Sequence, residues 1–432
     1  MADKTSSFSP FSPFSLPGSV WGIGIVTLLM NLSTIIIFSL SPKYLTAVLG
    51  VSTLSLGIFE GVVEAVAWFT RIFAGLISDY MRKRRPLLFV AYGLAAISRP
   101  IFALAPSFLW IFIARSVDRL GNGLQATPRE ALVGDSAPKG AKGACYGLRQ
   151  TLGVTGSLLG ALGLIFWTSE QGVDYQSIFW FASIPPVLAL IALALMVKEP
   201  KVITREEGKE SARRRFSFND LESLKIEYWL VVFVGSLFML SNYSGAFMIL
   251  QANNVTHSDA TAPLVMIFQN LASMLAAYPV GRLSDRIDRR KLLGIGFLLT
   301  IGSNYLLGTA QTQTFIIGGA ALWGMQLGIT QSLLVAKIAD ATSPWVRGTA
   351  FGIYYVVIAL SLFLTNTLTG KIFGLTTPFQ DLPAILQGIT PSFLLTFSGP
   401  QTVFLVSSVF ALIAFLCLPI LKAPEKMNIL AK

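Results

Sequence analysis

Histidine and cysteine are almost missing from this chain. His257 stands alone, and Cys145 and Cys417 are the only thiols among 432 residues. Two cysteines near predicted helix ends build no disulfide framework. One histidine in a loop leaves no cluster with metal-ligand spacing. Charge is scarce as well: 13% of residues carry it, against roughly 25% in a soluble domain. Acids are the rarer sign, 22 against 33 Lys and Arg. No glycine-rich stretch ends in the Lys-Ser/Thr of a phosphate-binding loop, which argues against ATP hydrolysis within the chain. No nucleophile and base stand at a meaningful spacing, so the chain reads as a non-enzyme that needs no cofactor.

What the chain has in quantity is apolar surface. Hydrophobic residues make up 53% of it, and the mean hydropathy is +0.65. A water-soluble protein would be left with large exposed apolar patches, whereas a bilayer takes up such runs as spans of roughly 20 residues. Twelve spans are expected, at 19–41, 56–78, 87–104, 108–131, 143–167, 177–197, 227–252, 262–280, 292–309, 314–341, 348–372 and 401–421. The runs are too long and too uniform for barrel strands, which alternate. The fold class is therefore all-α integral membrane, with twelve transmembrane helices.

The basic residues set the orientation. Most of the 33 fall in 82–85, 139–142, 198–225, 282–291 and the tail after 421, together with Lys4 and Arg347, while Lys43 is essentially alone on the other side. The positive-inside rule then makes both termini cytoplasmic. The net charge of +11 is a topology signal at membrane edges, not a nucleic-acid surface. Residues 1–18 repeat Phe-Ser-Pro and read as a disordered tail. The domain plan is that tail, a six-helix bundle over 19–197, a cytoplasmic linker at 198–226, a second bundle over 227–421, and a tail at 422–432.

The strongest pattern is a hairpin that occurs twice. Gly75-Leu76-Ile77-Ser78-Asp79 leads into Arg82-Lys83-Arg84-Arg85, and Gly281-Arg282-Leu283-Ser284-Asp285 leads into Arg289-Arg290-Lys291. Further on, Asp135, Lys142-Gly143 and Gly147 recur as Asp340, Arg347-Gly348 and Gly352, each 205 residues later. A repeat of that period built from membrane helices means two similar bundles in one chain. On these residues, and on Arg115 followed by Gly121 and Gly123, the chain resembles the major facilitator superfamily over 19–421. Tyr80 and Arg82 depart from the superfamily's first-hairpin pattern. The resemblance implies alternating access between pseudo-symmetric halves around a central site. Gly153, Gly156, Gly160 and Gly163 resemble the glycine-rich fifth helix of drug/proton antiporters, without its Gly-Pro pair.

Asp79 ends its helix where the dipole repels an anion, so it calls for a cation or a neighbouring helix N-terminus. The resemblance places the start of helix 11, near Gly348, close by. Asp79 with Gly75, Arg84 and Arg85 is thus expected to latch the halves together. Asp285 with Gly281, Arg289 and Arg290 would mirror it against helix 5. The alternative is a purely topological basic turn.

Charge inside a membrane is costly and is usually functional. Glu60, Glu64 and Arg71 project within about 40° of one another on helix 2. Glu64 is the first candidate proton carrier, Glu60 the second and Asp118 the third, because a carboxyl on a partly dry wall can load and unload a proton as access alternates. A static ion-pair network is the competing role. Arg71, Arg115, Arg119 and Arg149 suit carboxylate or phosphate recognition. Asn31 and Ser33 on helix 1 and Asn242, Tyr243, Gln269, Asn270, Gln326, Gln331, Tyr354 and Asn366 in the second half are candidate cavity residues, with interhelical glue as the equal alternative.

The reading is a monomeric, gradient-driven carrier of a small organic solute in a bacterial inner membrane. It is coupled to protons, and its solute is an anionic metabolite or a siderophore-like compound. One alternative is proton-coupled efflux of amphiphiles. An alternative of another class is a membrane sensor that kept the fold and lost transport.

Overall fold

A computed structural model describes residues 16–81, 84–138, 142–171, 174–199, 224–258, 261–284, 287–342, 347–376 and 396–421. Most of the expected N-terminal tail and linker, all of the C-terminal tail, and Asp285 lie outside the described residues, and positions 75, 79 and 281 are described only as backbone. The helices are α1 (Gly18–Lys43), α2 (Thr53–Met81), α3 (Arg85–Ala103), α4 (Phe108–Ser136), α5 (Lys142–Gln171), α6 (Tyr175–Phe181) and α7 (Ile184–Met196) in the first half. The second half has α8 (Ile226–Met239), α9 (Gly245–Thr256), α10 (Thr261–Leu283), α11 (Arg289–Gly308), α12 (Gln313–Asp340), α13 (Arg347–Phe373) and α14 (Gly399–Cys417). α6 with α7, and α8 with α9, each make a single traverse, so these helices pass twelve times between two ends. One end carries the basic turns and is called the basic end below; the other is the far end. Seven segments among the described residues are long and apolar enough to cross a membrane alone, and α2 and α4 are not among them.

Two expected spans are broken. The seventh, anticipated as continuous over 227–252, unwinds from Leu240 to Ser244. An unwound backbone inside a membrane must find partners within the protein, and here it does. Thr365 donates to the Leu240 carbonyl at 3.3 Å, and Ser407 donates to the Ser241 carbonyl at 2.6 Å. The Ser244 amide donates to Asn366 Oδ1 at 2.7 Å, and the Ser244 hydroxyl caps α9 by accepting from the Ala246 amide. The polar run Ser241-Asn242-Tyr243-Ser244 marks the break in sequence. A smaller interruption at Ala182 and Ser183 divides the sixth span, and Ser33 on α1 donates to the Ala182 carbonyl at 2.6 Å.

Helices in lipid associate through close packing, which small residues permit. α1 lies on α5 so closely that a Cβ at Gly156 would come 2.0 Å from the Leu28 carbonyl oxygen. Gly156 and Gly160 thus have a packing role, a Cβ at Gly160 coming 2.5 Å from the Leu32 carbonyl oxygen, whereas one at Gly163 would meet nothing within 4 Å. Between the halves, a Cβ at Gly57 of α2 would come 2.3 Å from the Asn366 carbonyl and 2.8 Å from Gly370 Cα on α13. The far end is sealed by one core that merges both halves, Ile36, Leu40 and Phe59 packing with Phe247, Phe373 and Phe404. Toward the basic end the core divides. Val20, Leu88 and Leu132 belong to one cluster, and Tyr228, Leu293 and Leu334 to another.

Candidate functional site

Helices α2, α3 and α4 bring six ionisable side chains together between their middles and the far end. On α4, Arg115, Asp118 and Arg119 share a face at spacings of three and four residues. Arg99 on α3 pairs with Asp118 at 2.9 Å and donates to the Thr34 hydroxyl on α1 at 3.0 Å. Arg115 lies 3.7 Å from Asp118 and 3.9 Å from Glu60. Glu60 in turn accepts from the Ser244 hydroxyl at 2.7 Å, so the cluster reaches across to the second half. Arg119 lies 3.7 Å from Glu64. Three carboxylates therefore face three guanidinium groups, which is how charges persist where each alone would be prohibitively costly.

This network backs onto a cavity of about 350 Å³ between the halves. Of the sequence candidates, Glu64, Arg71, Arg119, Asn242, Tyr243, Gln269, Gln331, Tyr354 and Asn366 line it, and Phe38, Trp68, Trp323 and Tyr355 join them. Other expected residues are placed elsewhere. Glu60 and Arg115 are almost wholly buried, at 1% and 0% exposure, and Asp118 at 4%. They stand behind the wall because each is turned toward its ion-pair partners. Glu64, one turn farther along α2, faces the cavity, so of the two glutamates Glu60 is the more buried. Asn31 donates to the Gly153 carbonyl and ties α1 to α5. Asn270 bonds back to the Met266 carbonyl, and Gln326 bonds to Asn242 from behind the wall. Arg149 pairs with Glu130 at 3.2 Å toward the basic end.

Sequence reasoning missed Arg99, although its signal was present as an arginine between Ser98 and Pro100 in an otherwise apolar run. The aromatic side chains were missed for a different reason. Trp68 and Trp323 look like any lipid-facing residue until the rotation of their helices is known.

The arginines of the basic turns have partners of their own. Arg84 forms an ion pair with Asp135, and Arg289 forms one with Asp340, the same pairing 205 residues apart. Arg85 donates to the Ala194 carbonyl and Arg290 to the Leu421 carbonyl. Each contact stays within its own half. Among the described residues these arginines fasten the start of one helix to the ends of its bundle neighbours, while the Asp79 and Asp285 side chains on which the expected latch turns lie outside the described residues. The two halves solve the helix start differently. Glu199 accepts from the Arg84 and Arg85 amides at 2.7 and 2.9 Å before α3, whereas Asp288 caps α11 by accepting from the Arg290 amide. Burial works against ionisation of Asp288, but the hydrogen bonds from Arg290 prevail and hold its carboxyl below the usual carboxylate range.

The sequence profile of the Major Facilitator Superfamily matches residues 23–268 and again 232–431. The chain belongs to the major facilitator superfamily. It is similar to the uncharacterised MFS-type transporter MJ1317 of Methanocaldococcus jannaschii, at 26% identity covering 88% of this chain and 95% of that protein. It is also similar to multidrug resistance protein MdtG of Klebsiella pneumoniae, at 23% identity covering 82% and 81%. A solved structure of a mutant of the nucleoside transporter NupG shares the fold, with a TM-score of 0.72 at 10% identity, covering 93% of this chain and 99% of that one. As a superfamily member the chain is a membrane-embedded secondary transporter for a small-molecule substrate. The superfamily's two-bundle plan accounts for the cavity between the halves and for the paired basic turns.

Proposed function

We propose that this superfamily member couples the movement of a small organic solute to protons, with Glu64 as the proton-carrying group. The observation that carries the reading is position: among the described cavity-lining residues Glu64 is the one carboxylate, and it sits 3.7 Å from Arg119. Protonating Glu64 removes one partner of that pair and changes the charge of the wall, so solute affinity and proton occupancy are linked. The bundles over 19–197 and 227–421 rock about the cavity as a monomer, joined by the linker at 198–226, with both termini on the cytoplasmic side of a bacterial inner membrane.

The test uses purified protein in proteoliposomes loaded with a pH-sensitive dye. A panel of organic acids, nucleosides and amphiphilic cations is added on one side. A solute that carries protons in the wild type should lose that coupling in Glu64→Gln while still exchanging down its own gradient. Gradient-driven accumulation that survives in Glu64→Gln would sink the proposal. Efflux of amphiphiles is the second reading, supported by the aromatic wall and by the relative named as a multidrug resistance protein. Proton movement driven only by the cationic amphiphiles would select it.

A further inference from the structure

The six-membered charge cluster closes on itself and leaves one cation over. Arg71 lines the cavity and, among the described residues, has no carboxylate within ion-pair distance. Its guanidinium lies over the Trp68 ring at 4.4 Å from the centroid, and its Nε is buried with no hydrogen-bond partner. A cation–π contact gives a guanidinium roughly 0.5–2 kcal/mol but leaves its forked donors unused. Such donors match a carboxylate in the plane of the fork.

The surroundings narrow the ligand further. Trp68 meets Tyr355 of the second half with ring centroids 5.4 Å apart and planes tilted by 44°. The Arg71 charge therefore stands beside a pair of aromatic faces contributed by both halves. Gln269, on α10, lines the same cavity and has a buried Oε1 without a partner. The volume of about 350 Å³ is near the small end of ligand sites, which suits one or two rings. With Glu64 and Arg119 paired, the lining carries one net positive charge.

We infer that the transported solute is a small aromatic or heteroaromatic monoanion. Its carboxylate docks on Arg71, its ring lies against Trp68 and Tyr355, and a donor on the ring or its substituent meets Gln269. This deepens the proton-coupled reading of the same cavity and rests on it for transport, but not for binding. Because Trp68 and Tyr355 belong to opposite halves, ring binding also reports their approach.

The test is ligand binding to the purified full-length protein, read by thermal shift and by displacement of radiolabelled benzoate. Benzoate, nicotinate and indole-3-acetate are compared with their uncharged amides and with cyclohexanecarboxylate. The expected order is aromatic acids first, then cyclohexanecarboxylate, then the amides. Arg71→Gln should weaken the acids at least about tenfold, or ~1.4 kcal/mol, and leave the amides unchanged. Arg71→Lys keeps the charge but loses the fork, so it should bind the acids more weakly than the wild type and more tightly than Arg71→Gln, which separates a lost contact from a misfolded protein. Trp68→Leu should erase the preference for benzoate over cyclohexanecarboxylate. The inference is overturned if amides bind as well as acids, if Arg71→Gln binds acids like the wild type, or if no acid binds more tightly than about 1 mM. Proton movement and Arg71→Gln together separate the two readings. Acid binding that depends on Arg71 without proton movement in the wild type would refute proton coupling alone. Proton-coupled movement of an amide or a cation, indifferent to Arg71→Gln, would refute the anion site alone.

Discussion

Replacing Asp118 with Asn keeps its shape and its hydrogen bond to Arg99 but removes its charge. Two guanidinium groups then lose their shared counterion, at 2.9 Å from Arg99 and 3.7 Å from Arg115, and Glu60 is left facing Arg115 at 3.9 Å. At an effective dielectric near 20, each unit-charge contact at about 4 Å contributes roughly 4 kcal/mol. Breaking a buried pair by removing one partner costs about 3–5 kcal/mol in practice. Unfolding entropy scales at about 2.1 cal/mol/K per residue. The melting temperature should therefore fall by roughly 3–6 °C if the chain unfolds as one unit and by roughly 7–11 °C if one half unfolds by itself. Intrinsic fluorescence melts in detergent read this directly. The double variant Arg99→Met with Asp118→Leu removes a whole pair and leaves Arg115 with Glu60. It should melt well above Asp118→Asn, as a coupled pair requires. A loss below about 1 kcal/mol in Asp118→Asn, or a double variant as unstable as the sum of its singles, would refute the counterion argument.

Gly57→Val places a side chain where the Asn366 carbonyl already stands, so it should pry α2 from α13 and open the far end. In a background with Cys145→Ala and Cys417→Ser, a cysteine at Phe373 should then react faster with a membrane-impermeant maleimide; an unchanged rate would show that this contact does not hold the closure. Ser244→Ala removes the hydroxyl that clasps Glu60 across the halves and should raise the same labelling rate by less than Gly57→Val does. Asp288 adds a pH dependence. Its folded carboxyl is held below the ordinary 3.8, so its stabilising contribution is present above that value and is lost as pH falls through the lower folded one. Asp288→Asn, which still caps α11, should flatten the acid side of a plot of melting temperature against pH; an unaltered acid limb would mean that other groups set it.

Much of the architecture was legible because hydropathy and charge are one-dimensional signals. A run of about 20 apolar residues has few ways to exist other than as a span. The paired basic turns announced the two-bundle plan, and the recurrence of Asp135 as Asp340 corresponds to their matching ion pairs. The ionisable residues of α2 and α4 were also legible as a group, since a charge in an apolar run stands out wherever its partner lies.

Partnership was decided only by the tertiary structure. Glu60 and Glu64 are one turn apart, and the sequence separated them only in rank as proton carriers, yet a helical rotation of about 40° turns the first into a sealed cluster and the second toward a cavity. Arg84 and Arg289 could have bridged the halves by sequence alone, but the neighbouring helix ends of their own bundles lie nearer. The break from Leu240 to Ser244 is stable because Thr365, Asn366 and Ser407 arrive from α13 and α14 to satisfy its backbone. Composition determines that a helix must lie in the membrane. Which side chains pair, and which cation is left over, depends on the angle at which each helix meets the next, and that angle is set by packing among all of them.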